Sequence, residues 1–220
     1  TVDNDEHGDD GDNFLRIQTI EVDLVIPSTA SPESAIVIIH GMLTIPEPGV
    51  SKEYIGEVGI KLPKANLSGY AKMRLMPKER AFLIEAGFEL PKPIPLAATG
   101  LSFYEFGGLL GFKYVAEKEA IGLVSGEDTW YDYYKHPKLG VNLDKFSKPP
   151  KTDEYSAPFT IGAGAVIATS HDDGNLFSTR LMLVLSLPSV FILDGRANVL
   201  DDRLDMMGST EPPFFAGVAI

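Results

Sequence analysis

The chain has 220 residues, of which 44% are apolar and 23% are charged, with a net charge of −12 and no cysteine. This composition is typical of a globular protein with a sizeable core. The acidic balance disfavours binding to nucleic acid or to an anionic membrane surface. Without cysteine there are no disulfides, thiolate metal sites or cysteine nucleophiles, and the compartment stays open between the cytoplasm and a secreted location.

The first segment is an acidic leader, residues 1–13, with the sequence TVDNDEHGDDGDN. It offers almost no apolar side chain for burial, which favours a flexible or solvated segment. Carboxylates crowded together suit a hard cation, so Asp9, Asp10 and Asp12 are candidate ligands for a structural Ca²⁺, although the EF-hand pattern is incomplete. We expect residues 14–220 to form a single β-rich domain.

Alternation of apolar and polar residues predicts strands along most of that domain. Residues 20–26 alternate with period two, which predicts a strand with one wet face, whereas residues 35–46 are apolar on both faces and predict a central strand covered from both sides. Residues 69–90 predict a hairpin around MPKER, and residues 159–187 predict another around SHDDGN. A further strand follows over residues 191–199. Proline ends or flanks many of these runs, at positions 27, 46, 63, 91 and 188.

One short helix is expected near residues 126–136, in the stretch SGEDTWYDYYKHP. Trp130, Tyr133 and Tyr134 are spaced as neighbours on one helical face, which favours packing against a sheet. No window has the roughly 18 consecutive apolar residues of a membrane-spanning helix, so no transmembrane segment is expected. Together the patterns predict an all-β, mainly antiparallel fold: a sandwich, an open barrel or a long curved sheet, with that one helix.

The stretch YEFGGLLGF, residues 104–112, places three glycines among aromatic and leucine residues. A phosphate-binding loop is excluded, because no helix opens at the glycines and no Lys-Ser or Lys-Thr pair follows. We therefore interpret the glycines as structural. Gly107 and Gly108 would allow a bend between two strands, and Gly111 would leave room for an aromatic ring such as Phe103 or Trp130. On this interpretation a Gly108→Val substitution lowers stability.

His40 ends the apolar strand AIVIIHG and resembles the oxyanion-loop strand of α/β-hydrolases. The G-x-S-x-G nucleophile elbow and the alternating strand–helix pattern of that fold are missing. A hydrolase using His40 would need a serine or carboxylate from far along the chain.

Two further groups of side chains are candidates for ligand contacts, and His40 is a candidate ligand-binding residue as well. Asp172 and Asp173 lie in an acidic turn and could bind Ca²⁺, although Asp and Gly also occur in turns for backbone reasons alone. Trp130, Tyr131 and Tyr134 could stack on a sugar, with Tyr131 off the helical stripe. No other cofactor is expected, because the four histidines lack the spacing of a metal site.

Three consecutive segments carry a resemblance: IPLAATGLSFYEFGGLLGFKY, DTWYDYYKHP and FTIGAGAVIATSHDDGNLFSTRLMLVLSLPSVFILDGRANVL. Their order over about residues 90–220 resembles an uncharacterised family of large, β-rich bacterial and fungal proteins, a domain of unknown function. The resemblance implies a segment of a longer β assembly and brings no activity or functional residues. The two chain ends, which begin at Thr1 and stop in a strand-like run, lead to the same expectation.

The sequence therefore favours a non-catalytic structural or binding module over an enzyme. Its expected partners are neighbouring segments of a larger protein or other subunits, and the leucine face 181–187 together with the face 82–90 predicts a groove for a lipid-like molecule. The alternatives are a calcium-stabilised extracellular adhesion or carbohydrate-binding domain, and a hydrolase using His40.

Overall fold

The structure is a computed structural model of the chain. It describes residues 17–29, 31, 34–46, 52–116, 146–147, 158–188, 190–206 and 212–220. The predicted leader and the predicted aromatic helix lie outside these residues.

Twelve strands follow one another along the described chain. They are β1 (Thr19–Ile26), β2 (Val37–Thr44), β3 (Tyr54–Leu62), β4 (Leu67–Met76), β5 (Ala81–Pro95), β6 (Leu101–Phe112), β7 (Val115–Ala116), β8 (Phe146–Ser147), β9 (Phe159–Thr169), β10 (Phe177–Leu187), β11 (Val190–Val199) and β12 (Phe214–Ala219). Two short 3-10 helices, Pro63–Ala65 and Pro77–Glu79, join β3 to β4 and β4 to β5.

Ten of the strands form one antiparallel sheet in the order β1-β2-β3-β4-β5-β6-β9-β10-β11-β12, and β7 pairs with β8 in a small second sheet. The predicted all-β, antiparallel fold is confirmed. Of the three architectures considered, the structure has a single extended sheet with β1 and β12 at its edges. No helix in the described part of the chain has the length and apolarity needed to cross a membrane.

The predicted hairpins are present, and local sequence explains their turns. Pro77 starts the MPKER turn, and Arg80 ends it in the left-handed region with φ 51°. Asp173 and Gly174 supply the positive φ values of the turn between β9 and β10, as an Asp-Gly pair does in tight hairpins. The expectation that proline ends strands fails at Pro91, which lies inside β5, where the register with β6 is irregular after Glu89.

The core of the protein lies on the face of the sheet that carries the polar residues. Leu83, Leu109, Val166 and Val184 are buried there among charged and hydroxyl side chains. The small sheet covers one end of this face, where Ala116 N–H donates to Ser186 Oγ at 2.9 Å. Burial of polar groups is tolerated in this region because most of them are paired.

The coverage of two predicted strands differs from the expectation. The apolar residues of β1, which should lie on its buried face, are themselves exposed, as at Val22 and Leu24. The predicted central strand is β2, which is second from the edge and has no buried residue. Alternation identifies an apolar face correctly, but it does not say what covers that face.

Candidate functional site

The outer surface of the ten-stranded sheet is an uninterrupted apolar face. Residues directly opposite each other on neighbouring strands share a face, and the register therefore traces rows across the whole sheet. The central row runs Val22, Gly41, Val58, Ala71, Ala86, Gly108, Ala163, Leu183, Leu193 and Val218. Every side chain in this row is apolar.

The two rows that flank the central row are also entirely apolar. One runs Ile20, Leu43, Gly56, Met73, Ile84, Leu110, Ile161, Leu185 and Phe191. The other runs Leu24, Ile39, Ile60, Gly69, Phe88, Phe106, Ala165, Leu181, Gly195 and Ala216. We call these three rows together the apolar face. They bring no charged group and no side-chain hydrogen-bonding group to that surface.

Small residues form a furrow in the middle of the apolar face. Ala71, Ala86, Gly108 and Ala163 are consecutive in the central row on β4, β5, β6 and β9, which spans about 14 Å at the usual strand spacing. A Cβ placed on Gly108 would meet no atom closer than 3.9 Å, so the space above it is open.

Larger side chains that remain exposed to solvent line both sides of the furrow. On one side Ile84 and Leu110 are 40% and 41% exposed, and on the other Phe88 is 49% exposed and lies 6.0 Å from the Phe106 ring. Monomeric proteins rarely leave a continuous apolar patch of this extent in water, and such patches mark interaction surfaces.

The opposite, polar face contains a buried ion pair at one end. Arg74 donates from Nε to Glu53 Oε1 at 2.6 Å and from Nη2 to Glu53 Oε2 at 3.2 Å. Tyr114 Oη donates to the same carboxylate at 2.7 Å, and the guanidinium lies 5.3 Å from the Tyr114 ring centre. Burial, together with the hydrogen bond to Glu53, raises the pKa of Tyr114. This arrangement fixes β3, β4 and the segment before β7 to one another.

At the other end of the polar face, residues 201–206 cross the sheet as a strap. Arg203 pairs with Glu89 at 2.6 Å and with Asp173 at 3.0 Å, and its guanidinium stacks 4.2 Å from the Tyr104 ring centre. Met206 N–H donates to Glu105 Oε2 at 2.9 Å. The strap is thus held by strands β5 and β6 and by the β9–β10 turn.

A cavity of about 540 Å³ lies between the strap and the polar face of β2 to β6. This volume falls in the range of small-molecule sites. Its charged lining comprises Lys61, Glu89, Glu105, Asp173, Asp202, Arg203 and Asp205, and His40, Ser68, Tyr70 and Asn175 add further polar groups. Burial raises the pKa of Glu105 to about 7.

The structure places His40 at the rim of this cavity, on the exposed polar side of β2. Its Nδ1 lies 2.7 Å from Asp23 Oδ1, and that hydrogen bond raises the pKa of His40. Among the described residues His40 makes no hydrogen bond to a hydroxyl group, and Ser68 is another polar residue of the cavity lining. Glu21 joins Asp23 and His40 in an exposed group whose ligand atoms lie within 4.8 Å of one another.

Of the predicted calcium ligands, only Asp172 and Asp173 lie in the described residues. Asp172 accepts hydrogen bonds from the Thr169 hydroxyl and from the backbone N–H groups of Gly174 and Leu176. The bond to Thr169 is the largest influence that lowers the pKa of Asp172. Its oxygens are therefore already used to shape the turn, and Asp173 faces Arg203 instead. Asp9, Asp10, Asp12, Trp130, Tyr131 and Tyr134 lie outside the described residues.

The glycines of β6 have a different role from the one expected. Gly107 and Gly108 lie inside one continuous strand, so no bend separates two strands there. A Cβ on Gly107 would lie 2.7 Å from Met206 Cε, which shows that this glycine makes room for the strap. A Cβ on Gly111 would lie 2.9 Å from Leu83 Cδ1, so an aliphatic side chain packs there rather than Phe103.

Sequence reasoning missed the groups that organise the polar face, chiefly Glu105, Arg180 and Arg203. The sequence contains two signals of buried charge. They are the lone glutamate in the apolar run LSFYEFGGLLGF and the lone arginine in FSTRLMLVLSL. Charges are almost never fully buried unless they are paired, and the pairing here depends on strand register. Comparisons with protein families, curated proteins and solved structures found no match for this chain.

Proposed function

We propose that this chain is a non-catalytic binding module whose apolar face holds lipid-like molecules, with a hydrocarbon chain lying in the furrow. The observation that carries the proposal is the chemistry of the three rows, which present only apolar side chains across all ten strands. Many of these side chains remain exposed, as Ile161 does at 47%.

The absence of polar groups on the apolar face favours hydrocarbon over a protein partner. Protein interfaces are only about 56–65% apolar and carry roughly one hydrogen bond per 100–200 Å². A surface whose three central rows offer no side-chain donor or acceptor matches a ligand that also offers none. The furrow adds a place where one chain can lie between Ile84 and Leu110 on one side and Phe88 on the other.

The expected strength of binding follows from the exposure of the leucines. Fully burying a leucine side chain contributes roughly 1.5–3 kcal/mol. Leu183 and Leu185 are 38% and 39% exposed, so covering the remainder contributes about 1 kcal/mol each by the same scale. Loss of both contributions weakens binding by roughly thirtyfold.

The test is a fluorescence titration with a pyrene-labelled monoacylglycerol, a neutral probe that the acidic protein does not repel. We expect saturable binding that weakens in the double variant Leu183→Gln/Leu185→Gln and in Ala163→Leu, which fills the furrow. The matched control is Leu176→Gln/Leu200→Gln, because these leucines are 43% and 78% exposed but lie outside the strands.

Three results would overturn the proposal. The first is the absence of saturable binding to the folded wild-type protein. The second is a stable dimer in sedimentation velocity that dissociates in Leu183→Gln/Leu185→Gln, because a second copy of the chain would then cover the apolar face. The third is an equal loss in the test and control variants, which would show that the probe binds leucine-rich surface without using this face.

A further inference from the structure

The cavity beneath the strap holds a buried carboxylate that lacks a counter-ion. Glu105 is 7% exposed, and its carboxylate accepts a hydrogen bond from Met206 N–H. Within the described residues no cationic side chain forms a salt bridge with it. A buried charge without a partner is costly, so the carboxylate is available to a cation that enters the cavity.

Lys61 also lines the cavity, and Arg180 Nη2 is buried without a hydrogen-bond partner among the described residues. Within the described part of the chain neither of these cations forms a salt bridge with Glu105. Arg203 directs its two terminal nitrogens at Glu89 and Asp173, and Arg180 donates from Nη1 to the backbone carbonyl of Asp205 at 3.0 Å. Glu89 also lies directly opposite Glu105 in the strand register, and two carboxylates in such positions repel each other. The cavity therefore has an excess of negative charge close to Glu105.

The arrangement of the carboxylates distinguishes among cations. Among the described residues the one group of three potential ligands close enough to share a metal ion is Glu21, Asp23 and His40. The carboxylates of the cavity do not converge in this way, although Asp202 and Asp205 line it together with Glu105. Dispersed carboxylates suit a molecule with several separated positive charges, and Ile38 in the lining offers contact to methylene groups.

We propose that this cavity binds an aliphatic polyamine, with one ammonium group paired to Glu105 and another to the strap carboxylate Asp202. The charged groups of this site lie on the opposite face of the sheet from the furrow, although Phe88 lines both. Variants of those charged groups therefore test this site separately from lipid binding. Burying the methylene chain beside Ile38 adds apolar contact, and the charge pairs make binding sensitive to salt.

The experiment is isothermal titration calorimetry of the folded protein with spermidine, in about 50 mM and about 500 mM NaCl, conditions that differ strongly in charge screening. We expect one saturable site that weakens at the higher salt concentration. Glu105→Gln should weaken binding by about tenfold or more, because it removes the charge that pairs with an ammonium group. Asp202→Asn should also weaken it.

The matched control is Glu57→Gln, which removes one negative charge from the polar side of β3 without touching the cavity. If Glu57→Gln weakens binding as much as Glu105→Gln does, spermidine responds to net charge and the proposed site is wrong. The proposal is also wrong if Ca²⁺ binds saturably and displaces spermidine, or if no saturable heat is seen. Because Asp202 is exposed, its variant tests the site even if Glu105→Gln fails to fold.

Discussion

The contact between the strap and two glycines of the sheet gives the most specific stability prediction. Gly107 and Gly164 lie opposite each other on β6 and β9, and the methyl end of Met206 fills the space above both. A Cβ on Gly164 would lie 2.6 Å from Met206 Cε, 2.8 Å from Met182 Sδ and 3.0 Å from Leu181 O. Gly164→Ala therefore overfills this space.

The size of the effect follows from two opposing terms. Overpacking a core typically costs about 1–3 kcal/mol, whereas replacing glycine by alanine in a strand contributes about 0.5–1 kcal/mol. The Leu181 carbonyl belongs to the β-ladder and cannot retreat, and both methionine side chains are buried. We expect a net loss of about 1–2 kcal/mol in the free energy of unfolding.

Gly108→Ala is the matched control, because the same change on the open furrow meets nothing closer than 3.9 Å. It should be neutral or stabilising by about 0.5–1 kcal/mol. This reverses the sequence-based expectation that filling Gly108 lowers stability. The assay is urea unfolding followed by far-UV circular dichroism, in which the two variants should differ by about 2 kcal/mol.

A double-mutant cycle identifies the cause of the loss. In a Met206→Ala background the closest clash is removed, and Gly164→Ala should recover about 1 kcal/mol of its cost. If Gly164→Ala is as stable as Gly108→Ala, or if its cost is the same with and without Met206, the strap does not occupy the space described and this reasoning is refuted.

Three other predictions concern the polar face. Arg74→Leu should lower the free energy of unfolding by about 3–5 kcal/mol because it leaves a buried charge, whereas Arg74→Leu/Glu53→Leu should cost clearly less in the same denaturation assay. The pKa of Glu105 rises from 4.5 to about 7 on folding, so the folded state keeps a proton that the unfolded state has lost. Stability should therefore fall by roughly 3 kcal/mol as pH rises through that window, and Glu105→Gln should flatten the slope. In NMR titrations Asp23→Asn should lower the pKa of His40 towards 6.5, because the raised value depends on their hydrogen bond; an unchanged pKa would contradict that cause.

Local patterns were sufficient to predict most of the strands. The hairpin over residues 69–90 appears as β4 and β5, and SHDDGN forms the turn between β9 and β10. These predictions succeed because alternation and turn residues are properties of neighbouring positions. The prediction that a strand ends at Pro91 was wrong, because β5 continues through Pro91 to Pro95. Its register with β6 is irregular beyond Glu89.

The covered face could not be predicted, because two faces compete for burial and only tertiary structure decides between them. Leu183 and Leu185 have the pattern of core residues, yet they are exposed while Arg196 on the opposite face is buried. Arg196 is accommodated by Asp194, two residues away, which satisfies its guanidinium. A pattern of hydrophobicity alone does not show that a buried charge such as Arg196 is paired with a charge of opposite sign.

Much of the cavity was equally inaccessible from the sequence. Glu105 meets the strap at Met206, 101 residues further along the chain, and His40 meets Asp23 only through the β1–β2 register. The rows of the apolar face likewise emerge only when the registers of ten strands are combined. Sequence reasoning reached the idea of an apolar surface, but the furrow could be located only in the structure.

The central claim, that the apolar face holds hydrocarbon, is tested most directly by photo-crosslinking with a diazirine-bearing monoacylglycerol followed by peptide mass spectrometry. The account predicts adducts on β4, β5, β6 and β9 at or beside Ala71, Ala86, Gly108 and Ala163, and competition by excess unlabelled monoacylglycerol should remove them. Adducts that map to the polar face or the strap, or that persist under competition, would contradict the account.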